Sequence, residues 1–99
     1  MATSTIHKIG WGAVESHAIT SDSWTATADG IAIVILGPTS GAVGSCRIRG
    51  GTFGIVGTIQ SSGAGLVGLT TIPIIKGSAY SAENLSNVSS VTIYFYNMC

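Results

Sequence analysis

The chain has 99 residues, with Lys+Arg 4 against Asp+Glu 4, so its formal net charge is zero and only 8% of it is charged, where about 25% is ordinary. This length fits a single domain. The lack of a basic field argues against binding nucleic acid or an anionic membrane surface through charge.

Hydrophobic residues make up 45% of the chain, and a domain this small leaves much of its apolar area uncovered when it folds alone. Insertion in a membrane does not resolve this. The longest unbroken apolar run, Ile31–Leu36, is far below the roughly 20 residues of a spanning helix. Burial against further copies of the chain is the expected solution.

Residues 1–13 read as an extended arm or linker, and 14–99 as one β-sandwich domain. Met1–Lys8 is polar and no apolar stretch follows it, so no secretory signal is expected. Strands are expected near 14–20, 23–28, 31–36, 43–49, 52–60, 66–75, 79–81 and 91–96. Between them stand Asp29-Gly30, Gly37-Pro38, Gly50-Gly51, Ser61-Ser62-Gly63, Lys76-Gly77 and the stretch 84–87, all of turn-forming composition. The 14 glycines are scattered and Ser and Thr number 24, which leaves no continuous helical stripe. Eight short strands with turns every 8–12 residues predict an all-β, antiparallel sandwich or jelly roll.

Two strands carry more than fold information. Ile31-Ala32-Ile33-Val34-Ile35-Leu36 is apolar on both its odd and its even positions. A strand alternates sides with period two, so this one is expected to be covered on both faces. Either a loop lies over it, or Ala32, Val34 and Leu36 or their opposites sit at a subunit interface. In the last strand Val91, Ile93 and Phe95 share one side, and Thr92, Tyr94 and Tyr96 the other. Tyrosines suit a half-wet surface, whether an interface rim, the end of the sandwich or a sugar-stacking platform.

Catalytic patterns are weak. His7, His17, Asp22, Asp29 and many serines supply the ingredients of a nucleophilic triad, without a Gly-x-Ser-x-Gly elbow. Only Glu15, Asp22, Asp29 and Glu83 are available as paired carboxylates. Asp29 reads as a turn residue bonding backbone amides, and Glu83 as part of a polar loop. Glu15 and His17 share a strand face but fall short of the three or more ligands of a divalent metal site.

The stretches 50–54 and 63–65 read as turns, since no helix follows to complete a phosphate loop. Asn84-Leu85-Ser86 and Asn87-Val88-Ser89 fit the glycosylation sequon and read as loop polars. Arg47 and Arg49 share a strand face, where they suit solubility, an anionic sugar or a neighbouring subunit's carboxylate. Cys46 and Cys99 show no metal-ligand spacing and are expected as reduced thiols. No catalytic residue, cofactor or metal is expected.

Three stretches in order carry a resemblance. Thr25-Ala26-Thr27-Ala28-Asp29-Gly30-Ile31, Thr71-Ile72-Pro73-Ile74-Ile75-Lys76-Gly77-Ser78-Ala79-Tyr80 and Val91-Thr92-Ile93-Tyr94-Phe95-Tyr96 resemble motifs of small trimeric C-terminal domains of bacteriophage tail fibres and virion appendages. Thr27 stands where that pattern has proline, and Ser78 where it has an acid.

The resemblance implies a homotrimeric, non-enzymatic knob in a virion, contacting other virion proteins and a host cell-surface receptor such as a glycan. It implies neither nucleic-acid binding nor membrane insertion, and it transfers no binding residues. The stretches 37–44 and 60–65 are the receptor-loop candidates, with Trp11, Trp24 or Tyr80 as sugar-stacking aromatics. Capsid or shaft decoration without receptor binding, and a cellular β-sandwich adhesin or lectin, are the competing readings.

Overall fold

The computed structural model describes the backbone of residues 11–98 and the side chains of 15–97. Eight strands follow one another: β1 (Trp11–Ala18), β2 (Trp24–Thr25), β3 (Gly30–Pro38), β4 (Ser45–Gly50), β5 (Ile55–Gln60), β6 (Gly68–Ile74), β7 (Ala79–Ser86) and β8 (Val88–Met98). They form two four-stranded sheets ordered β1-β8-β3-β6 and β2-β7-β4-β5, and every paired strand is antiparallel to its neighbour. This is the arrangement of an eight-stranded jelly roll, and the expected all-β sandwich is what the chain adopts. No helix among the described residues is long and apolar enough to cross a membrane.

Alternation along each strand builds the core. Ala32, Val34 and Leu36 of β3 and Val91, Ile93 and Phe95 of β8 are fully buried. Their register sets Ala32 beside Phe95, Val34 beside Ile93 and Leu36 beside Val91. A small residue thus lies beside the bulkiest one, which keeps the layer at even thickness. Ile72 and Ile74 of β6, Cys46 and Ile48 of β4, Ile59 of β5 and Tyr80 of β7 complete the core. Pro73 sits on β6, an edge strand paired only to β3, where a missing amide donor leaves no ladder bond unmade.

Several boundaries depart from the sequence expectation. Strand β1 begins at Trp11, so the last three residues assigned to the arm are strand, while residues 1–10 lie outside the described region. Strand β2 shrinks to two residues, because Ala26 instead makes loop bonds with Ser78 O (3.0 Å) and Gly77 N (2.9 Å). Residues 51–53 form a single 3-10 turn ahead of β5.

The largest departure is β7, which runs through Glu83 and Asn84 to Ser86, where a polar loop was expected. The polar composition suggested a turn. The backbone instead takes up Asn84 as a left-handed residue (φ 54°) inside the strand and turns only at Asn87 (φ 54°). Asn tolerates that conformation better than other non-glycine residues.

The first two stretches that carry the resemblance meet at one end of the sandwich, and the third, in β8, reaches that end at Tyr96. Asp29 Oδ1 accepts from Lys76 N at 2.8 Å, and Tyr80 Oη accepts from Ile75 N at 2.9 Å. Gly77 makes the reversal at φ 89°, a conformation that strongly favours glycine. Gly30 serves a different purpose from the turn its sequence suggests. It lies in β3 against the Tyr96 carbonyl oxygen, and an added Cβ would also stand 2.8 Å from Phe95 Cε1. Close approach of two strands, rather than an unusual φ, requires glycine here.

Candidate functional site

The two outer faces of the sandwich differ in chemistry. On the β1-β8-β3-β6 sheet, Ile31, Ile33 and Ile35 point outward, opposite the buried Ala32, Val34 and Leu36. Register sets Ile31 between Pro73 and Tyr96, Ile33 between Thr71 and Tyr94, and Ile35 between Leu69 and Thr92. Ser16 and Ala18 of β1 continue the face beside Tyr94 and Thr92. Among the described residues no charged side chain lies on it. Ile33 is 36% and Leu69 62% exposed, and a shallow depression is lined by Ile31, Ile33, Thr71 and Tyr96. The doubly apolar strand is therefore fully covered on one side by the opposing sheet and only half-covered on the other within the single chain.

The outer face of the second sheet is polar. Arg47 of β4 stands between Thr58 of β5 and Glu83 of β7, and Ser45 between Gln60 and Ser86. A step of two positions on β4, from Ser45 to Arg47, matches a step of three on β7, from Ser86 to Glu83. This is a β-bulge, which re-aims side chains at the point of irregularity. As a result the consecutive Glu83 and Asn84 both reach the arginines.

Arg49 Nε donates to Glu83 Oε1 at 2.6 Å and its NH2 to Oε2 at 3.2 Å, while Arg47 NH2 is 3.7 Å from Oε2. Hydrogen bonding to Arg49 holds the Glu83 carboxyl below its ordinary range and raises the Arg49 guanidinium. Asn84, with its amide oxygen turned to the guanidinium, accepts from Arg47 Nε at 3.0 Å. Glu83 is thus a strand residue of this chain and answers the arginines that the sequence left open to a neighbouring subunit. A groove of about 460 Å³ borders Arg47, Asn84, Thr58, Gln60 and Ser45.

Both receptor-loop candidates come together at the end opposite the Asp29–Lys76 contact. Gly44 N donates to the buried Ser61 Oγ at 2.8 Å, and Ser61 N to Gly44 O at 2.8 Å. Gly65 N donates to Ala42 O at 2.8 Å. Val43, Leu66 and Val67 are exposed at this end. The sequence marked the two loops separately, and the cross-links between them had no sequence signal.

The proposed stacking aromatics fare differently. Tyr80 is buried, so it is a core residue and not a sugar platform. Trp24 packs on His17, with ring centroids 4.6 Å apart and planes 17° apart, and on Phe95 at 5.0 Å. The Trp11 side chain lies outside the described residues.

His17 Nε2 and Glu15 Oε1 are 3.0 Å apart. Among the described residues no group of three or more His, Cys, Asp or Glu gathers as a metal site. Asp29 bonds a backbone amide, as expected, although of a residue 47 positions away. His7 lies outside the described residues, as does the side chain of Cys99. Cys46 is a buried free thiol, and burial pushes its pKa up.

No protein family, curated protein or solved structure matches this chain.

Proposed function

We propose that this chain is a non-enzymatic virion domain, a tail-fibre or appendage knob that assembles as a homotrimer and attaches to a host-surface receptor. The observation that carries the reading is the outer face of the β1-β8-β3-β6 sheet, built from Ile31, Ile33, Ile35, Leu69, Tyr94 and Tyr96, with no charged side chain among its described residues. Such a face on so small a domain favours contact with another copy. Around a threefold axis each subunit meets its neighbour through two unlike patches.

The resemblance of the three motif stretches to phage-fibre knobs supplies the biological setting, and the jelly-roll order is compatible with it. In this reading the motif stretches brace one end of the knob, while the loops 39–44 and 61–67 at the other end face the receptor. Genomic context tests the setting directly. Virion morphogenesis genes beside the coding sequence are expected, and a position in a secretion or adhesin operon would overturn the virion assignment.

A further inference from the structure

We propose that the groove beside Arg47 binds a saccharide bearing a carboxylate, an inference that rests on the receptor-attachment reading and names its ligand class. Two guanidiniums share a single carboxylate on this face, and they share it unequally. Glu83 is engaged bidentately by Arg49 and lies 3.7 Å from Arg47, beyond hydrogen-bond length. The close polar partner of Arg47 is the neutral Asn84 amide. One positive charge is therefore left unbalanced on a side chain that is 45% exposed at the groove.

The surroundings suit a sugar acid. Thr58, Ser45, Gln60 and Asn84 border the same groove and offer hydroxyl and amide groups that donate and accept, as a ring of hydroxyls requires. A guanidinium presents a planar fork that matches the two oxygens of a carboxylate. One unbalanced cation matches a monoanion rather than a phosphate dianion, because Arg49 is already committed to Glu83. The bulge in β7 brings Glu83 and Asn84 onto the same arginine pair, and bulges of this kind commonly adjoin binding sites.

The geometry also makes an unusual prediction about Glu83. Its carboxylate competes with the ligand, so Glu83→Gln strengthens binding, whereas a structural ion pair would only lose stability. Arg49→Ala weakens binding although Arg49 need not touch the ligand, since it releases Glu83 to Arg47.

The test is an amide chemical-shift titration of the full chain with glucuronate, glucose and glucose 6-phosphate. Shifts from glucuronate centred on residues 45–47, 58–60 and 83–84 are expected, with affinity reduced about tenfold in Arg47→Gln and increased in Glu83→Gln. Equal shifts from glucose or glucose 6-phosphate would overturn the carboxylate assignment. Unchanged affinity in Arg47→Gln, or no response to glucuronate in a folded protein, would overturn the site. These failures leave the genomic context and the solution mass untouched, so they are distinguishable from failure of the knob reading.

Discussion

Ser61 and Cys46 show how single residues are fixed by their surroundings. The Ser61 hydroxyl is buried and accepts the Gly44 amide at 2.8 Å. Ser61→Ala strands that donor, and a loss of about 1–3 kcal/mol in urea unfolding is expected. Cys46 behaves as a small hydrophobe whose thiol is held protonated by burial. Because its pKa is raised, the reactive thiolate forms only at higher pH than for a free cysteine. In a Cys99→Ser background, Ellman's reagent at pH 8 should find no fast thiol in the native protein and one after denaturation. A fast native thiol would place Cys46 at the surface.

At the scale of elements, the strands that pack against one another most regularly were the most legible. The alternation of β8 announced its two sides, whereas β3, apolar on both, announced a strand with both faces apolar but not which of them faces the core. Less legible was anything set by contact between distant segments. Glu83 and Asn84 looked like a loop because their polarity is the same in a loop and on a solvent-facing strand. Only pairing with Arg47 and Arg49, more than thirty residues earlier, distinguishes the two. Tyr80 looked available for stacking because sequence shows its ring but not the Ile75 amide that its hydroxyl receives.

Gly30 is the sharpest case, since Asp-Gly reads as a turn while the structure needs glycine for the approach of β3 to β8. Gly30→Ala should cost about 1–3 kcal/mol through forced backbone displacement. Gly63→Ala, where a Cβ meets the flexible Leu66 side chain at 3.2 Å, should stay within about 0.5 kcal/mol. Thermal or urea melts of the two variants compare them directly, and equal losses would contradict the close-approach argument.

For the whole molecule, one sandwich presents an apolar face on one sheet and a polar, arginine-bearing face on the other. The apolar face suits assembly and the polar face suits a ligand, so the two roles do not compete for area. A charge placed in the middle of the apolar face should separate them experimentally. Ile33→Lys leaves the core side of β3 untouched, because Ala32, Val34 and Leu36 point the other way. Burying an unpaired ammonium in the assembled state is costly, so the variant is expected to keep the β-sheet circular dichroism of the parent and to lose its self-association.

Light scattering behind size exclusion, run at several concentrations on the parent chain and on Ile33→Lys, tests the central claim most directly. Three copies of a 10.0 kDa chain make a particle of about 30 kDa. The parent is expected at that mass and the folded variant at the mass of one chain. A parent chain that stays monomeric across the concentration series would contradict the assembly face, and with it the trimeric knob.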